Sequence, residues 1–141
     1  ALQRRMDGFL DAYVAGRASD EELFYEFGAF DRWGPFLTPL IEEWTALRPK
    51  SFAARHAMTL HLAAVAWQKR GERLARETSK QQFGEFDKAL TAAQDSAIRS
   101  IALDPKPILA YQALMVMGKS SRARGSTSRI SAWTRSAPPR R

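Results

Sequence analysis

Two stretches, Thr45–Met58 (TALRPKSFAARHAM) and Ile101–Leu114 (IALDPKPILAYQAL), lie 56 residues apart and agree at six of fourteen places: Ala, Leu, Pro, Lys, Ala and Ala. Each reads as the end of one helix, a proline turn and the start of the next. A proline pushes the residue before it out of helical conformation. The alanines that follow are small enough for the incoming helix to pass close to its predecessor. A chain that turns the same corner twice is built from helices.

Outward from these corners the periodicity is helical throughout. Met6, Phe9, Leu10, Tyr13 and Val14 fall on one stripe, and Gly16 marks its end. Ser19 with Glu22 predicts a capping box, followed by a helix whose apolar side is Leu23, Phe24, Phe27 and Phe30. Pro35 opens a third helix, with Pro39 still in its first turn. Its expected buried face is Leu40, Ile41, Trp44 and Leu47, and Pro49 ends it. An alanine-rich central helix is expected from Ser51 to about Glu77. Ser79 then caps a fifth helix, whose stripe is Phe83, Phe86, Leu90, Ala93, Ala97 and Ile101. Pro105 ends that helix, Pro107 starts the last one and Gly118 closes it. No window alternates with period two. The expectation is an all-α fold of about six helices over residues 1–118, with residues 119–141 as a basic, disordered tail.

Bulk composition narrows the function. With 45% apolar residues the chain has enough material for a core. The net charge of +7 suggests nucleic acid until it is counted by segment. Residues 1–118 carry 15 basic and 15 acidic residues, whereas residues 119–141 carry seven basic and none acidic. A neutral body does not steer polyanions, so any nucleic-acid contact belongs to the tail. There is no cysteine, which suits a reducing, cytoplasmic setting, with a removed leader as the alternative. The longest mostly apolar run, 57–67, is too short to span a bilayer.

The pattern xALxPxxxxAxxA at both corners resembles the junctions of tetratricopeptide-type arrays, although those repeat about every 34 residues. The 56-residue offset implies longer intervening helices; the competing account is two unrelated corners in an alanine-rich chain. A second resemblance covers roughly residues 2–118. WQKRGERLARETSKQQF followed by IALDPKPILAY, with Trp67, Arg70, Gly71, Ala75, Thr78, Phe83, Leu103, Pro105, Ala110 and Tyr111 at matching places, is similar to a family of bacterial domains of unknown function. The opening SDEELFYEFGAFDR is similar to that family's N-terminal part. The resemblance implies tetratricopeptide-like hairpins and lends no activity.

Few residues invite chemistry. His56 and His61, five apart, point about 140° apart on a helix and cannot share a metal from one face. Each is expected as a part-buried or surface group. Asp20-Glu21-Glu22 and Glu42-Glu43 are expected in first turns, where they complement the helix dipole. No nucleophile elbow, phosphate-cradling glycine loop or metal-spaced set occurs, so no catalytic, metal or cofactor residue is assigned and no cofactor is expected.

The candidate contact residues for an anion or partner are Lys69, Arg70, Arg73, Arg76 and Lys80, which form one basic stripe if the helix continues through Gly71. The simpler account is a solvated face, with Glu72–Arg76 and Arg73–Glu77 paired at i, i+4. Ten of the fifteen aromatics lie in residues 1–52, and one or two left exposed would anchor a partner peptide. The functional expectation is a non-catalytic protein-interaction module; the alternative is a small phosphate-handling enzyme built on Lys69, Arg73 and Arg76. The tail composition also matches a GC-rich gene read out of frame. A domain cut short in this way would leave Leu109, Leu114 and Met117 uncovered and prone to self-association.

Overall fold

The computed structural model describes residues 2–32, 37–71, 75–103 and 108–122. Trp33, Pro35, Phe36, Glu72, Arg73, Pro105 and Pro107 lie outside the described residues, as does the tail from residue 123. Those described are helical, without a strand: α1 (Leu2–Val14), α2 (Asp20–Phe27), the single turn α3 (Ala29–Arg32), α4 (Thr38–Leu47), α5 (Phe52–Arg70), a 3-10 turn at Ala75–Glu77, α6 (Lys80–Ile101) and α7 (Ile108–Arg122).

The helix ends follow local chemistry. Ser19 accepts the Glu22 N–H at 3.2 Å, and the Glu22 carboxylate accepts the Ser19 N–H at 2.8 Å. These bonds from the Ser19 backbone and hydroxyl hold the Glu22 carboxyl below its ordinary pKa. Ser79 and Gln82 repeat the arrangement at the start of α6. Ser51 caps α5 by accepting the Ala54 N–H. Gly16 and Gly71 both take positive φ, 72° and 77°, where α1 and α5 have ended.

α5 and α6 form the central hairpin. The Ser96 hydroxyl donates to the Arg55 carbonyl at 3.1 Å, and Trp67 meets Phe86 edge-on at 5.0 Å. One contact near each end fixes an antiparallel register. Ala66 of α5 and Ala93 and Ala97 of α6 are wholly buried in one cluster, so the two helices meet through small side chains.

Around this hairpin lie two apolar clusters. The first joins Met6 and Tyr13 of α1, Leu23 and Phe27 of α2, Phe30 of α3, Ile41 and Trp44 of α4, and Phe52 to Ala57 of α5 with Leu109 and Ala110 of α7. The second joins Ala66 to Phe86, Leu90, Ala93 and Ala97, with Leu114 and Met117 of α7. α7 therefore runs alongside α5 in the same direction.

Several sequence expectations are corrected. α5 stops at Arg70 rather than near Glu77 because Gly71 turns the chain away. The second helix breaks at Gly28, leaving Phe30 on its own short turn. Leu40 and Leu47, expected in the core, are 54% and 63% exposed; α4 buries a narrower stripe of Ile41 and Trp44. Glu42 and Glu43 sit beyond the first turn of α4, which begins at Thr38. α7 passes through Gly118 to Arg122. Leu109, Leu114 and Met117 are buried, and it is Met115 and Val116 that α7 leaves exposed.

Ala54 and Ala110, which occupy matching places after the two proline corners, are both wholly buried and belong to the same cluster. Enlarging either to Leu should overpack it and cost roughly 1–3 kcal/mol in thermal or denaturant unfolding. The exposed Ala46 should accept Leu within about half a kcal/mol. Ala18 is unsuited as that control, because it packs against the core.

The glycines supply a pair of opposite sign. Gly71→Ala places a side chain at φ 77°, ψ 175° and should cost about 1–3 kcal/mol, although the Cβ has room. Gly84→Ala, on the exposed face of α6 with nothing within 4 Å, should gain about 0.5–1 kcal/mol. Chemical denaturation of both variants distinguishes backbone strain from crowding.

Candidate functional site

Three helices meet incompletely along one side of the molecule. α5 presents His56, Leu60, Ala63 and Trp67 at i, i+4, i+7 and i+11, a single helical stripe. α7 presents Leu109, Ala113 and Val116 at i, i+4 and i+7, with Gln112 beside them. Phe24, Phe27 and Gly28 of α2 close the third side. Between them lies a groove of about 280 Å³. Its rim is apolar and open to solvent: Phe24 is 61% exposed, Val116 62% and Trp67 42%. A second, wider depression of about 810 Å³ lies between Asp7, Asp11 and Val14 of α1 and the first proline corner, where the Ser51 hydroxyl donates to Asp7.

The floor of the groove carries the unusual chemistry. His56 is only 2% exposed. Its ring stacks on Phe52 at 5.5 Å and meets Phe27 nearly edge-on at 5.1 Å. Burial pushes its pKa down from the ordinary 6.5 to about 3, so the ring is neutral at physiological pH. Its Nδ1 has no hydrogen-bond partner, and neither has the buried Oε1 of Gln112. Buried polar atoms of this kind cost free energy until something satisfies them. Among the described residues the lining holds no carboxylate and no cation, so it suits apolar groups rather than phosphate or proton-transfer chemistry.

His61 is buried on another part of α5, its Nε2 2.7 Å from the Thr38 hydroxyl. Desolvation lowers its pKa, against an opposing pull from Glu42. Both histidines are thus deeper than expected, because α5 is covered on nearly every side. Among the described residues no cluster of His, Asp or Glu could hold a metal.

The basic residues are not carried by one continuous helix. Lys69 and Arg70 end α5, Arg76 lies in the 3-10 turn 3.7 Å from Glu77, and Lys80 begins α6; Arg73 lies outside the described residues. The Arg76–Glu77 pair is well exposed and contributes little. Arg70 lies over Trp67, its guanidinium carbon 5.3 Å from the ring centroid. None of the described cations lines the groove.

Of the remaining family-like positions, Trp67 is held between Phe86 and Arg70 at the groove's edge, and Gly71 ends α5. Thr78 is half-buried just before the Ser79 cap, Tyr111 is half-buried on α7, and Pro105 lies outside the described residues. The groove itself was missed in the sequence. The available signal was the shared spacing of 56-60-63-67 and 109-113-116, two stripes that mean a groove only once α5 and α7 are known to run side by side.

Burial of His56 has a measurable consequence. The unfolded chain takes up a proton near pH 6.5 that the folded ring refuses until about pH 3. Stability is therefore greatest above pH 6.5 and falls as the pH is lowered toward 3, with a slope approaching about 1.4 kcal/mol per pH unit from this residue. Denaturant unfolding at pH 7.5, 6 and 5 should show the decline, and His56→Phe should flatten it. An unchanged slope in the variant would mean the ring is not held neutral.

No curated protein and no solved structure matches the chain. The model of one family does, across residues 2–139, a span that takes in the sequence on both sides of residue 118. The chain belongs to the family described as Domain of unknown function (DUF4034).

Proposed function

We propose that the chain is a non-catalytic protein-interaction module whose groove between α2, α5 and α7 receives a side chain of a partner segment. The observation that carries this reading is the exposure of Phe24, Trp67 and Val116 around a concave apolar site. Large apolar side chains gathered about a pocket are what binding interfaces use as anchors. The tetratricopeptide-like reading of the hairpins belongs to the same proposal. Two proline corners with buried alanines and a close-packed antiparallel helix pair support it. A bacterial, cytoplasmic setting is part of it too, resting on the sequence resemblance and the absence of cysteine. Self-association, on this reading, would use Met115 and Val116.

Selection of a displayed random-peptide library on the full chain tests the idea. Selected peptides should lose at least about tenfold in affinity against Phe24→Asp and Val116→Asp, a change of 1.4 kcal/mol. Lys69→Glu should leave them unaffected. All three residues are exposed, so the variants should retain the parent's circular dichroism. Peptides indifferent to both rim substitutions would overturn the groove as the interaction site.

A further inference from the structure

Building on that interaction reading, we infer that the partner segment carries an Asp or Glu beside its apolar anchor, and that Arg70 receives this carboxylate at the Trp67 end of the groove. Trp67 lines the groove, and the Arg70 guanidinium carbon stands 5.3 Å from the centre of its ring. The cation is therefore held against a wall of the site, although its own side chain is not part of the lining. It is also uncommitted: among the described residues no carboxylate lies within ion-pair distance of Arg70. A guanidinium stacked on an aromatic face keeps its N–H edge available, and that planar fork matches a carboxylate in two parallel hydrogen bonds. Stacking also limits the side chain's rotamers beforehand, so less freedom is lost when the anion arrives.

The lining is apolar and, among the described residues, uncharged, so the charge preference of an occupant is set at the margins of the groove. On the α2 side the sequence DEELFYEF offers four acidic residues and no basic one. A segment acidic along its whole length would be opposed there, because like charges brought together across an interface are costly. The complementary partner is apolar at its centre and acidic on one flank, the flank that leaves the groove past Trp67. Lys69 is exposed and, one position earlier on α5, points about 100° away around the helix. It supplies a control cation on the same turn.

Peptides selected from the displayed library on the full chain, synthesised with acetylated and amidated ends, supply the probes. They should carry Asp or Glu within a few residues of their large apolar side chain. The tightest is compared, by calorimetric titration, with a counterpart in which that acid is replaced by its amide. The amide form should bind the parent about tenfold more weakly. On Arg70→Gln the two peptides should bind equally, whereas Lys69→Gln should keep the tenfold difference. Comparing two peptides on one chain at a time cancels any effect of the substitution on folding. Selected peptides without an acid overturn the inference, and so does an acid whose replacement costs as much on Arg70→Gln as on the parent. Either result leaves the interaction reading standing while binding still depends on Phe24 and Val116, so the two fail separately.

Discussion

Everything in this molecule depends on how closely α5 and α6 approach. Alanine and serine at the crossing bring the helices together, and the Ser96 hydroxyl can then reach the Arg55 carbonyl across the gap. The close approach leaves α5 enclosed by α6 on one side and by the N-terminal helices and α7 on the others. Larger residues at Ala66 or Ala93 would push the pair apart and open the cluster between them. Dispersion contacts fall away steeply with separation, so such a seam has little tolerance for expansion.

The enclosure of α5 also explains the histidines. On a two-faced helix, His56 would have found water. On a helix buried nearly all round it is packed between Phe27 and Phe52 and kept neutral. The burial of His56 beneath the groove is thus a consequence of the same enclosure.

Much of the architecture was legible because its signals are local. Ser19 with Glu22, Ser79 as a cap, Gly16, and the helical period from Phe83 to Ile101 each declare themselves within a few residues, and the structure forms α2, α6 and the end of α1 there, with Phe83 and Ile101 only half-buried. The errors arise where tertiary context decides. Gly71 lies inside a helix-favouring stretch, and its positive φ ends α5, so Arg76 and Lys80 do not share a helix with Lys69. Leu40 and Leu47 fit the apolar period of α4, yet that helix covers the core with Ile41 and Trp44 alone. The candidate site was illegible for the same reason: His56 and Gln112 stand far apart in sequence, and nothing in either stretch announces that α5 and α7 are neighbours.

α7 has a double allegiance. Its first turn is embedded with Phe52 to Ala57, and its later residues with Ala66 and Phe86. Gln112 lies between these two attachments, facing the groove. A helix pinned at both ends cannot loosen at one cluster without straining the other, so the two halves are wired as one cooperative unit. Whatever settles against Gln112 is therefore sensed by the whole chain. Its binding free energy adds to global stability through mass action, and the midpoint of unfolding becomes a gauge of occupancy, readable without a label at the site.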